Sequence, residues 1–521
     1  MKMQKKYWMD RINLKYASLL IFLFTLGGNL AAQSFVDFDI DSEITEVQPM
    51  TGIVFWPGNS FINTDAVALE YSYMDFSKVV TGKDEYDWSE VDDLLDKMAA
   101  RNHQGILRFR FSYPGRTTTV PQYIKDLPDY EETEGLSEGK TTYFPDWSNE
   151  ELKSFTLNFF KAYAERYDKD PRLAYVQVGF GLWAEYHIYS GPLEIGKTFP
   201  SKEFQKEFFN VLDESFEDTY WSISIDAANG TYSPFEAEPE LKDITFGLFD
   251  DSFMHQGHSG YNTRSWNFFD RDRYQIAPAG GEFNYYTNYD QANVLNPDVG
   301  AHGQPFEIHA QNFHISYMIG NDQAKYQSIE RIKEASMACG YKFKVLSFKS
   351  MADSSTVEIT NLGIAPLYID AYPTVDSIRS TESLKLLQPG EVKTFTISSG
   401  SDNPTFSIES DDILETQEIQ FFGTLNDYEP YTQPSSIEEA QVTFSKVFPT
   451  VTDTGLINIQ FESGNLFDVN VFNAEGKEVL QKTLRNDSKL NLAAYGSGMY
   501  FIRIRNEAGN IDTFKIIVSG N

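Results

Sequence analysis

Residues 174–189 read AYVQVGFGLWAEYHIY, and this stretch decides the fold. Its first part, residues 174–180, is a short apolar run of the kind that forms a strand buried on both faces. The chain then passes Gly181, and the carboxylate of Glu185 follows among aromatic side chains. A buried strand with such an exit is typical of a parallel sheet, in which polar groups gather beyond the carboxyl ends of the strands.

Similar apolar runs alternate with amphipathic helical patterns throughout residues 50–340. Eight strands in alternation with helices over this length are typical of a (β/α)₈ TIM barrel, an α/β fold. A doubly wound open sheet is the alternative, and the lack of a glycine-rich phosphate loop after the first strand argues against it. The predicted strands are 53–55, 69–73, 106–111, 174–180, 221–225, 244–249, 274–277 and 313–317.

Beyond Gly340 the apolar pattern changes to the period of two that is typical of β-strands with one buried face. This pattern predicts a β-sandwich domain over residues 341–425, followed by a polar linker over 426–441. A further set of alternating strands begins at Val442 and predicts a small C-terminal all-β domain over residues 442–521.

The N-terminus has the pattern of a secretory signal peptide over residues 1–32. A basic leader precedes an apolar run from Ala17 to Leu26, and small residues end at Ala32, where we expect cleavage. The run is shorter than the roughly 20 residues that a membrane span needs. An uncleaved membrane anchor is the alternative. Residues 33–49 then form an acidic N-terminal segment, and the mature chain is expected to have no membrane span.

Charge and composition exclude several function classes. The formal net charge of −33 makes nucleic acid and acidic membranes poor partners. The chain has one cysteine, Cys339, so no internal disulfide can form, and its helical spacing predicts a packing residue. No metal-ligand spacing or cofactor motif is recognisable, and we predict neither a metal nor a cofactor. Aromatic residues make up 15% of the chain, which suits a large core and also a sugar-binding cleft.

Two glutamates occupy the positions where a barrel of this kind carries its chemistry, beyond the carboxyl ends of strands. Glu185 follows the fourth predicted strand, and Glu282 follows the seventh in IAPAGGEFNYY (276–286). These strands lie on opposite sides of the barrel mouth, so the two carboxylates can face one another across a ligand. Hydrolysis of a glycosidic bond needs such a pair, one carboxyl as proton donor and the other as nucleophile or base.

The surroundings of the two glutamates predict different roles. Trp183 and Tyr186 would partly desolvate Glu185 and raise its pKa, which suits a general acid. A separation of about 5–5.5 Å between the carboxyl groups gives retention of configuration, and about 6.5–9.5 Å gives inversion. For each glutamate, a solvated loop residue is the alternative interpretation.

Further residues near the predicted strand ends are interpreted as substrate contacts. Arg110 is nearer the strand end than Arg108 in LRFRF (107–111), and it either binds a substrate hydroxyl, tunes Glu282 or forms a structural ion pair. His187 either orients Glu185, binds a sugar hydroxyl or is an ordinary loop histidine. The predicted substrate-binding residues are Trp56, Arg110, Trp183, His187, Asp251 and His255.

The segment after the sixth predicted strand, FDDSFMHQGHSG (249–260), places Asp250, Asp251, His255 and His258 close together. Their spacing matches no helical zinc motif, so substrate contacts or loop hydrogen bonds are favoured over a metal site. An anionic glycan would suit the arginines at 264, 271 and 273, although a solvated helix is the favoured explanation.

A family resemblance rests on the residues around the two glutamates. Their positions after strands four and seven resemble the retaining glycoside hydrolases of clan A. More closely, Trp183-Ala184-Glu185-Tyr186-His187 and Gly280-Gly281-Glu282 resemble a bacterial family of glycoside-hydrolase-like barrels with a joined β-sandwich. The resemblance covers about residues 50–425 and implies Glu185 as acid/base and Glu282 as nucleophile. Many clan A enzymes have Asn before the acid/base glutamate, where this chain has Ala184.

The last segment resembles the C-terminal sorting domain of the Bacteroidetes type IX secretion system. The phrases Gly498-Met499-Tyr500 and Lys515-Ile516-Ile517-Val518 carry the match, and Pro449-Thr450 departs from the usual Asn-Pro. The resemblance implies that the secretion machinery is a partner and that this tail takes no part in chemistry.

Together these observations predict a secreted or surface-attached glycoside hydrolase, retaining in stereochemistry, that acts on a polysaccharide or oligosaccharide. A non-catalytic carbohydrate-binding surface protein on a barrel scaffold is the main alternative. A structural surface protein, in which the barrel only displays the sandwich, is a second. The distance between the two carboxylates separates the first alternative from the enzyme.

Overall fold

The structure is a computed structural model that describes residues 34–297, 300–428, 445–461, 466–473, 477–506 and 511–519. The chain forms two compact units, Met1–Pro430 and Tyr431–Asn521. The predicted signal peptide and residues 429–441 of the predicted linker lie outside the described residues. Among those described, no helix combines the length and the apolar character that a membrane crossing requires.

Eight parallel strands in the first unit form a closed barrel, and each pairs with its neighbours in chain order. The predicted (β/α)₈ fold is therefore confirmed. Each strand is short and almost wholly buried, as expected where helices cover the outside of a sheet. The strands are β1 (Gly52–Phe55), β2 (Leu69–Asp75), β3 (Gln104–Arg110), β4 (Leu173–Val178), β5 (Trp221–Ser224), β6 (Gly247–Phe253), β7 (Ala279–Phe283) and β8 (Ile315–Ile319).

The seventh strand lies elsewhere than predicted, because residues Arg271–Gln275 form a 3₁₀ helix. Strand β7 contains Glu282 instead of preceding it. Its glycines are required by packing: a Cβ on Gly280 would lie 2.2 Å from the ring of Tyr317, and one on Gly281 would lie 2.4 Å from the carbonyl oxygen of Asp250. Glycine within a strand marks such close approaches, which periodicity cannot reveal.

Amphipathic helices cover the outside of the barrel. The longest, Glu150–Tyr167, buries Phe155, Phe159 and Tyr163 on one face, and Asn149 caps its start by accepting a hydrogen bond from the backbone N–H of Leu152. The α-helices of the described residues are α1 (Phe76–Val79), α2 (Ser89–Ala99), α3 (Gln122–Lys125), α4 (Glu150–Tyr167), α5 (Lys202–Ser215), α6 (Ser259–Phe268), α7 (Asn288–Asn293), α8 (Phe306–Phe313) and α9 (Ile329–Ala338).

Shorter elements complete this part of the chain. The other 3₁₀ helices of the first unit are Ile225–Ala228, Pro239–Asp243 and Gln323–Lys325. Two small hairpins pair Val80–Gly82 with Glu85–Tyr86, and Thr133–Ser137 with Lys140–Phe144.

Two antiparallel sheets follow the barrel within the same compact unit. One contains β9, β10 and β13, with Val36–Asp37 antiparallel to β9 and the short β15 parallel to it. The other contains β11, β12 and β14. The domain boundary at residue 341 stays a prediction. The strands are β9 (Phe343–Met351), β10 (Ser354–Asn361), β11 (Tyr372–Val375), β12 (Ile378–Arg379), β13 (Val392–Ile397), β14 (Phe406–Glu409) and β15 (Phe421–Phe422).

The apolar core of these sheets is continuous with the interior of the barrel. One cluster of buried side chains runs from Phe343 and Ile359 in the sheets to Tyr71, Tyr175 and Tyr317 inside the barrel. Since strand side chains alternate between faces, the inward positions that follow Tyr71 and Tyr175 are Tyr73 and Gln177, nearer the opposite end of the barrel. The fold thus closes one end of the barrel with apolar packing and leaves the chemistry at the other.

The second unit is all-β, with a core that includes Val469, Ile502 and Ile516. Its strands form a three-stranded and a five-stranded sheet, and a 3₁₀ helix covers Ala493–Tyr495. The strands are β16 (Ser445–Phe448), β17 (Val451–Thr452), β18 (Leu456–Phe461), β19 (Phe467–Asn473), β20 (Glu478–Leu484), β21 (Ser488–Asn491), β22 (Gly498–Asn506) and β23 (Ile511–Val518).

Candidate active site

The loop after β4 is folded tightly back on itself, and this shape places Glu185. Trp183 and Ala184 both have φ of +57°, in the left-handed region that is uncommon for residues with a Cβ. A Cβ on Gly181 would lie 2.1 Å from the carbonyl oxygen of His187, so only glycine fits there. The backbone N–H of Gly181 donates to the carbonyl of Glu185 at 2.8 Å. Strained backbone of this kind is held only where the surrounding structure fixes it.

Glu185 is buried at the mouth of the barrel, with 4% of its surface exposed. Its Oε1 accepts a hydrogen bond from Nη1 of Arg108 at 3.2 Å, and its Oε2 lies 3.6 Å from Nε2 of His187. Burial raises the pKa of Glu185 well above its usual value, the charge of Asp251 adds to this, and Arg108 opposes it. A carboxyl group with a raised pKa keeps its proton near neutral pH, which suits a general acid.

Glu282 projects from β7 into the same end of the barrel and is 8% exposed. Burial raises its pKa to about 7; the charge of Arg108 opposes the shift, and that of Asp251 adds to it. No hydrogen bond or ion pair between described residues reaches its carboxylate. Because Glu282 also raises the pKa of Glu185, the two carboxylates lie within electrostatic reach of one another.

Arg108 on β3 is the cation between these groups. Its Nε donates to Oε1 of Gln177 at 2.8 Å, and its Nη1 donates to the carbonyl of Trp183 at 3.2 Å as well as to Glu185. Its guanidinium lies 4.3 Å from the ring centroid of Phe249, a cation–π contact. The side chain is 1% exposed, so its charge is compensated inside the protein.

The structure gives Arg110 and Arg108 different partners. Both point into the barrel, as the alternation in LRFRF predicts, but Arg110 donates from Nε to Asp75 at 2.9 Å and packs on Tyr113. Arg108, and not the predicted Arg110, is the arginine that contacts Glu185. Arg110 is linked to the site only indirectly: it packs on Tyr113, whose ring centroid is 6.2 Å from that of Trp183.

A histidine and two aspartates stand beside Glu185. Nδ1 of His187 is 2.5 Å from Oδ2 of Asp226, and 4.0 Å from Oδ2 of Asp251. Burial lowers the pKa of His187, but the hydrogen bond and charge of Asp226 outweigh it and leave the pKa raised. Burial and the charge of Asp226 raise the pKa of Asp251. We call Glu185, Asp226, Asp251 and Glu282 the carboxylate cluster.

Three of these residues could also hold a metal ion. One ligand atom each from Glu185, His187 and Asp251 lie within 4.8 Å of one another. The absence of a metal, which the sequence predicts, stays a prediction. Asp226 has no separate sequence motif, but it follows β5 directly, the position in a barrel where polar side chains gather. Its position after a barrel strand is the only feature of the sequence that could have identified Asp226 as a site residue.

The aspartate before Asp251 points away from the mouth. Asp250 accepts hydrogen bonds from the side chains of Asn262 and Trp266, and burial raises its pKa to about 8. It therefore anchors helix α6 to β6. Because adjacent strand residues face opposite ways, Asp251 alone of the pair faces the site.

Exposed tyrosines surround the carboxylate cluster. Tyr189 stacks on Trp183 with ring centroids 5.9 Å apart and an interplanar angle of 16°. The ring of Tyr286 lies 5.4 Å from that of His255, so this predicted contact residue stands on the rim. Trp56 packs against Tyr73 at 5.9 Å, further inside. The rim tyrosines Tyr189, Tyr285 and Tyr286 are 57%, 45% and 59% exposed.

Comparison with known families identifies the C-terminal segment. Residues 446–519 match the secretion system C-terminal sorting domain. The protein is therefore exported by type IX secretion and is secreted or attached to the cell surface, as predicted from its sequence. No curated protein matches the chain.

Among solved structures, the chain is similar in fold to several glycoside hydrolases. The catalytic domain of β-amylase from Paenibacillus polymyxa is 8% identical, with 57% of this chain and 99% of that chain covered and a TM-score of 0.37. A family 39 glycoside hydrolase from Bacteroides cellulosilyticus is 11% identical, covering 68% of this chain and 82% of that chain at a TM-score of 0.36. Xylanase B from Clostridium stercorarium is 14% identical, with 51% of this chain and 84% of that chain covered and a TM-score of 0.33.

Proposed function

We propose that this exported protein is a retaining glycoside hydrolase, with Glu185 as acid/base and Glu282 as nucleophile. One observation carries the proposal: two buried carboxyl groups with raised pKa values stand at one mouth of a closed barrel, in the field of a single arginine. Groups whose pKa values are perturbed by burial and by specific charges cluster at catalytic sites.

In the first step, Glu185 donates its proton to the glycosidic oxygen as the bond from the anomeric carbon to that oxygen breaks. A carboxylate oxygen of Glu282 bonds to the anomeric carbon on the opposite face. Arg108 stabilises the ionised form of Glu282, since its charge lowers the pKa that burial raises. The leaving sugar departs as a neutral alcohol.

In the second step, the ionised Glu185 takes a proton from water, and the resulting hydroxyl attacks the anomeric carbon. The bond to Glu282 breaks, and the released sugar keeps its original anomeric configuration. His187 holds its place beside Glu185 through the hydrogen bond to Asp226. The exposed tyrosines of the rim offer flat faces for sugar rings outside the cleavage position.

The experiment is a glycan panel screened for released reducing sugar with the wild type, Glu185→Gln and Glu282→Gln. We expect each variant to lose at least about 1,000-fold in kcat, since each group supplies an essential step. Glu150→Gln is the control, because that side chain is 85% exposed at the start of α4. NMR of the first product anomer tests retention. Activity that survives in both site variants would refute the assignment, and binding without release would favour a carbohydrate-binding protein.

A further inference from the structure

The carboxylate cluster has more acidic groups than cations, even with Glu185 protonated as the proposed mechanism requires. Four carboxylates face one region, and the cations in contact with them are Arg108 and, when protonated, His187. The guanidinium of Arg108 is already occupied by Gln177, the carbonyl of Trp183 and Glu185. Buried carboxylates in proteins are normally paired with a cation or saturated by hydrogen bonds.

Two members of the cluster have no cation of their own among the described residues. Glu282 forms no ion pair there, and Asp251 comes no nearer to a cationic atom than the 4.0 Å to Nδ1 of His187. That nitrogen already serves Asp226 at 2.5 Å. Nε2 of His187 has no hydrogen-bond partner and is buried. This part of the site is therefore electronegative and has polar atoms left to contact a ligand.

Two of the three arginines that would suit an anionic glycan, Arg271 and Arg273, are engaged elsewhere. Arg273 donates from Nε to the carbonyl of Phe246 at 2.8 Å and from Nη1 to that of Lys242 at 2.8 Å. Arg271 donates to the carbonyl of Asn312 and lies over the ring of Phe313. Arg110 is paired with Asp75. These arginines hold the fold together, so the interpretation that 271 and 273 attract an acidic substrate is not supported.

We infer that the carboxylate cluster selects the substrate by charge: it takes glycans that are neutral or carry an amine at the cleaved sugar, and it rejects those that carry a carboxylate or sulfate there. This inference rests on the proposed function. A substrate anion about 6 Å from one of these carboxylates would lose roughly 100-fold in transition-state affinity at the effective dielectric of a protein site. An ammonium group would instead pair with Asp251 or Glu282.

The test compares three oligosaccharides of one linkage that differ at the cleaved sugar, which is a neutral hexose, a 2-amino sugar or a uronic acid. We expect kcat/KM for the uronic acid to be at least about 100-fold below that for the neutral sugar. In Asp251→Asn, the ratio of kcat/KM for the neutral sugar to kcat/KM for the uronic acid should fall about tenfold or more. The exposed control Asp353→Asn should leave this ratio unchanged. Equal cleavage of the acidic and neutral substrates, or an unchanged ratio in Asp251→Asn, would overturn the inference.

Binding measurements separate this inference from the proposed function. If the wild type releases no sugar from any of the three, the proposed hydrolase activity fails. Calorimetric titration of the full chain with the same three oligosaccharides then still tests charge selection. We expect weaker binding of the acidic sugar than of the neutral one, and equal or tighter binding of the acidic sugar would overturn the inference.

Discussion

Arg108 donates a hydrogen bond to Glu185 across the mouth of the barrel, with Nη1 and Oε1 3.2 Å apart and both side chains at least 95% buried. A buried carboxyl group beside a guanidinium would ordinarily ionise, yet here burial and the charges of Asp251 and Glu282 outweigh the arginine. The pair therefore fixes the position of Glu185 without fixing its charge. A general acid needs this combination of a rigid place and a movable proton.

Two replacements of Arg108 distinguish the effect of its charge from that of its hydrogen-bonding geometry. In Arg108→Met the neighbouring carboxylates lose their cation, and we expect a loss of about 3–5 kcal/mol in the free energy of unfolding. Arg108→Lys keeps the charge but cannot contact Gln177 and Glu185 together, so activity should fall with a smaller loss of stability. Urea denaturation and kcat/KM measure the two effects. Equal stability of Arg108→Met and the wild type would contradict this account.

The pH dependence of activity follows from the two raised pKa values. Glu282 must be ionised to act as nucleophile, so kcat/KM should rise as the pH increases through about 7. It should fall again where Glu185 loses its proton. Asp251→Asn removes a charge that raises both pKa values, so both limbs of the profile should move to lower pH. Profiles of kcat/KM from pH 4 to 10 measure this; a profile unchanged by Asp251→Asn would count against the role of Asp251.

Stability should decrease with rising pH over the same range. The ordinary pKa of Glu282 is 4.5 and its folded value is about 7, so between these values the folded protein binds more protons than the unfolded chain. The stability from this group is present below pH 4.5 and is lost through pH 7, at a cost of about 3 kcal/mol. Urea denaturation at pH 5 and pH 8 should show this fall, and Glu282→Gln should reduce it. A stability that rises over this interval in the wild type would contradict the assignment.

The barrel could be predicted from the alternation of strands and helices, because the spacing of the apolar residues shows that alternation directly. The contacts between distant residues were not predictable in this way. Strand β7 was misplaced because residues 271–275 form a 3₁₀ helix and the strand itself contains Gly280, which gives room for the ring of Tyr317; that contact depends on the closed barrel. For the same reason the sequence indicated that Arg108 and Arg110 share a face but could not show which of them meets Glu185. Asp226 was missed, although it lies beyond the carboxyl end of a strand, as Glu185 does.

The glycines of β7 give a test of that packing. A Cβ on Gly280 would lie 2.2 Å from the Tyr317 ring, so Gly280→Ala should destabilise the protein by about 1–3 kcal/mol and displace Tyr317 from Gln177, to which its hydroxyl is hydrogen-bonded at 2.8 Å. Gly58→Ala is the matched control, because nothing lies within 4 Å of a Cβ there. Thermal unfolding of the two variants measures the difference. Equal melting temperatures would show that β7 does not pack as described.

His187 and Asp226 provide the last test, because their hydrogen bond decides the charge beside Glu185. The hydrogen bond and charge of Asp226 raise the pKa of His187, so Asp226→Asn should lower that pKa and shift the imidazole toward its neutral form. A neutral His187 no longer stabilises ionised Glu185 in the second step, and kcat should fall about tenfold while KM changes little. NMR titration of His187 and the pH profile of kcat measure both effects. Asp353→Asn is the control, because that side chain is exposed in the turn between β9 and β10. If the pKa of His187 is the same in Asp226→Asn as in the wild type, Asp226 does not control the charge of His187, even if kcat falls.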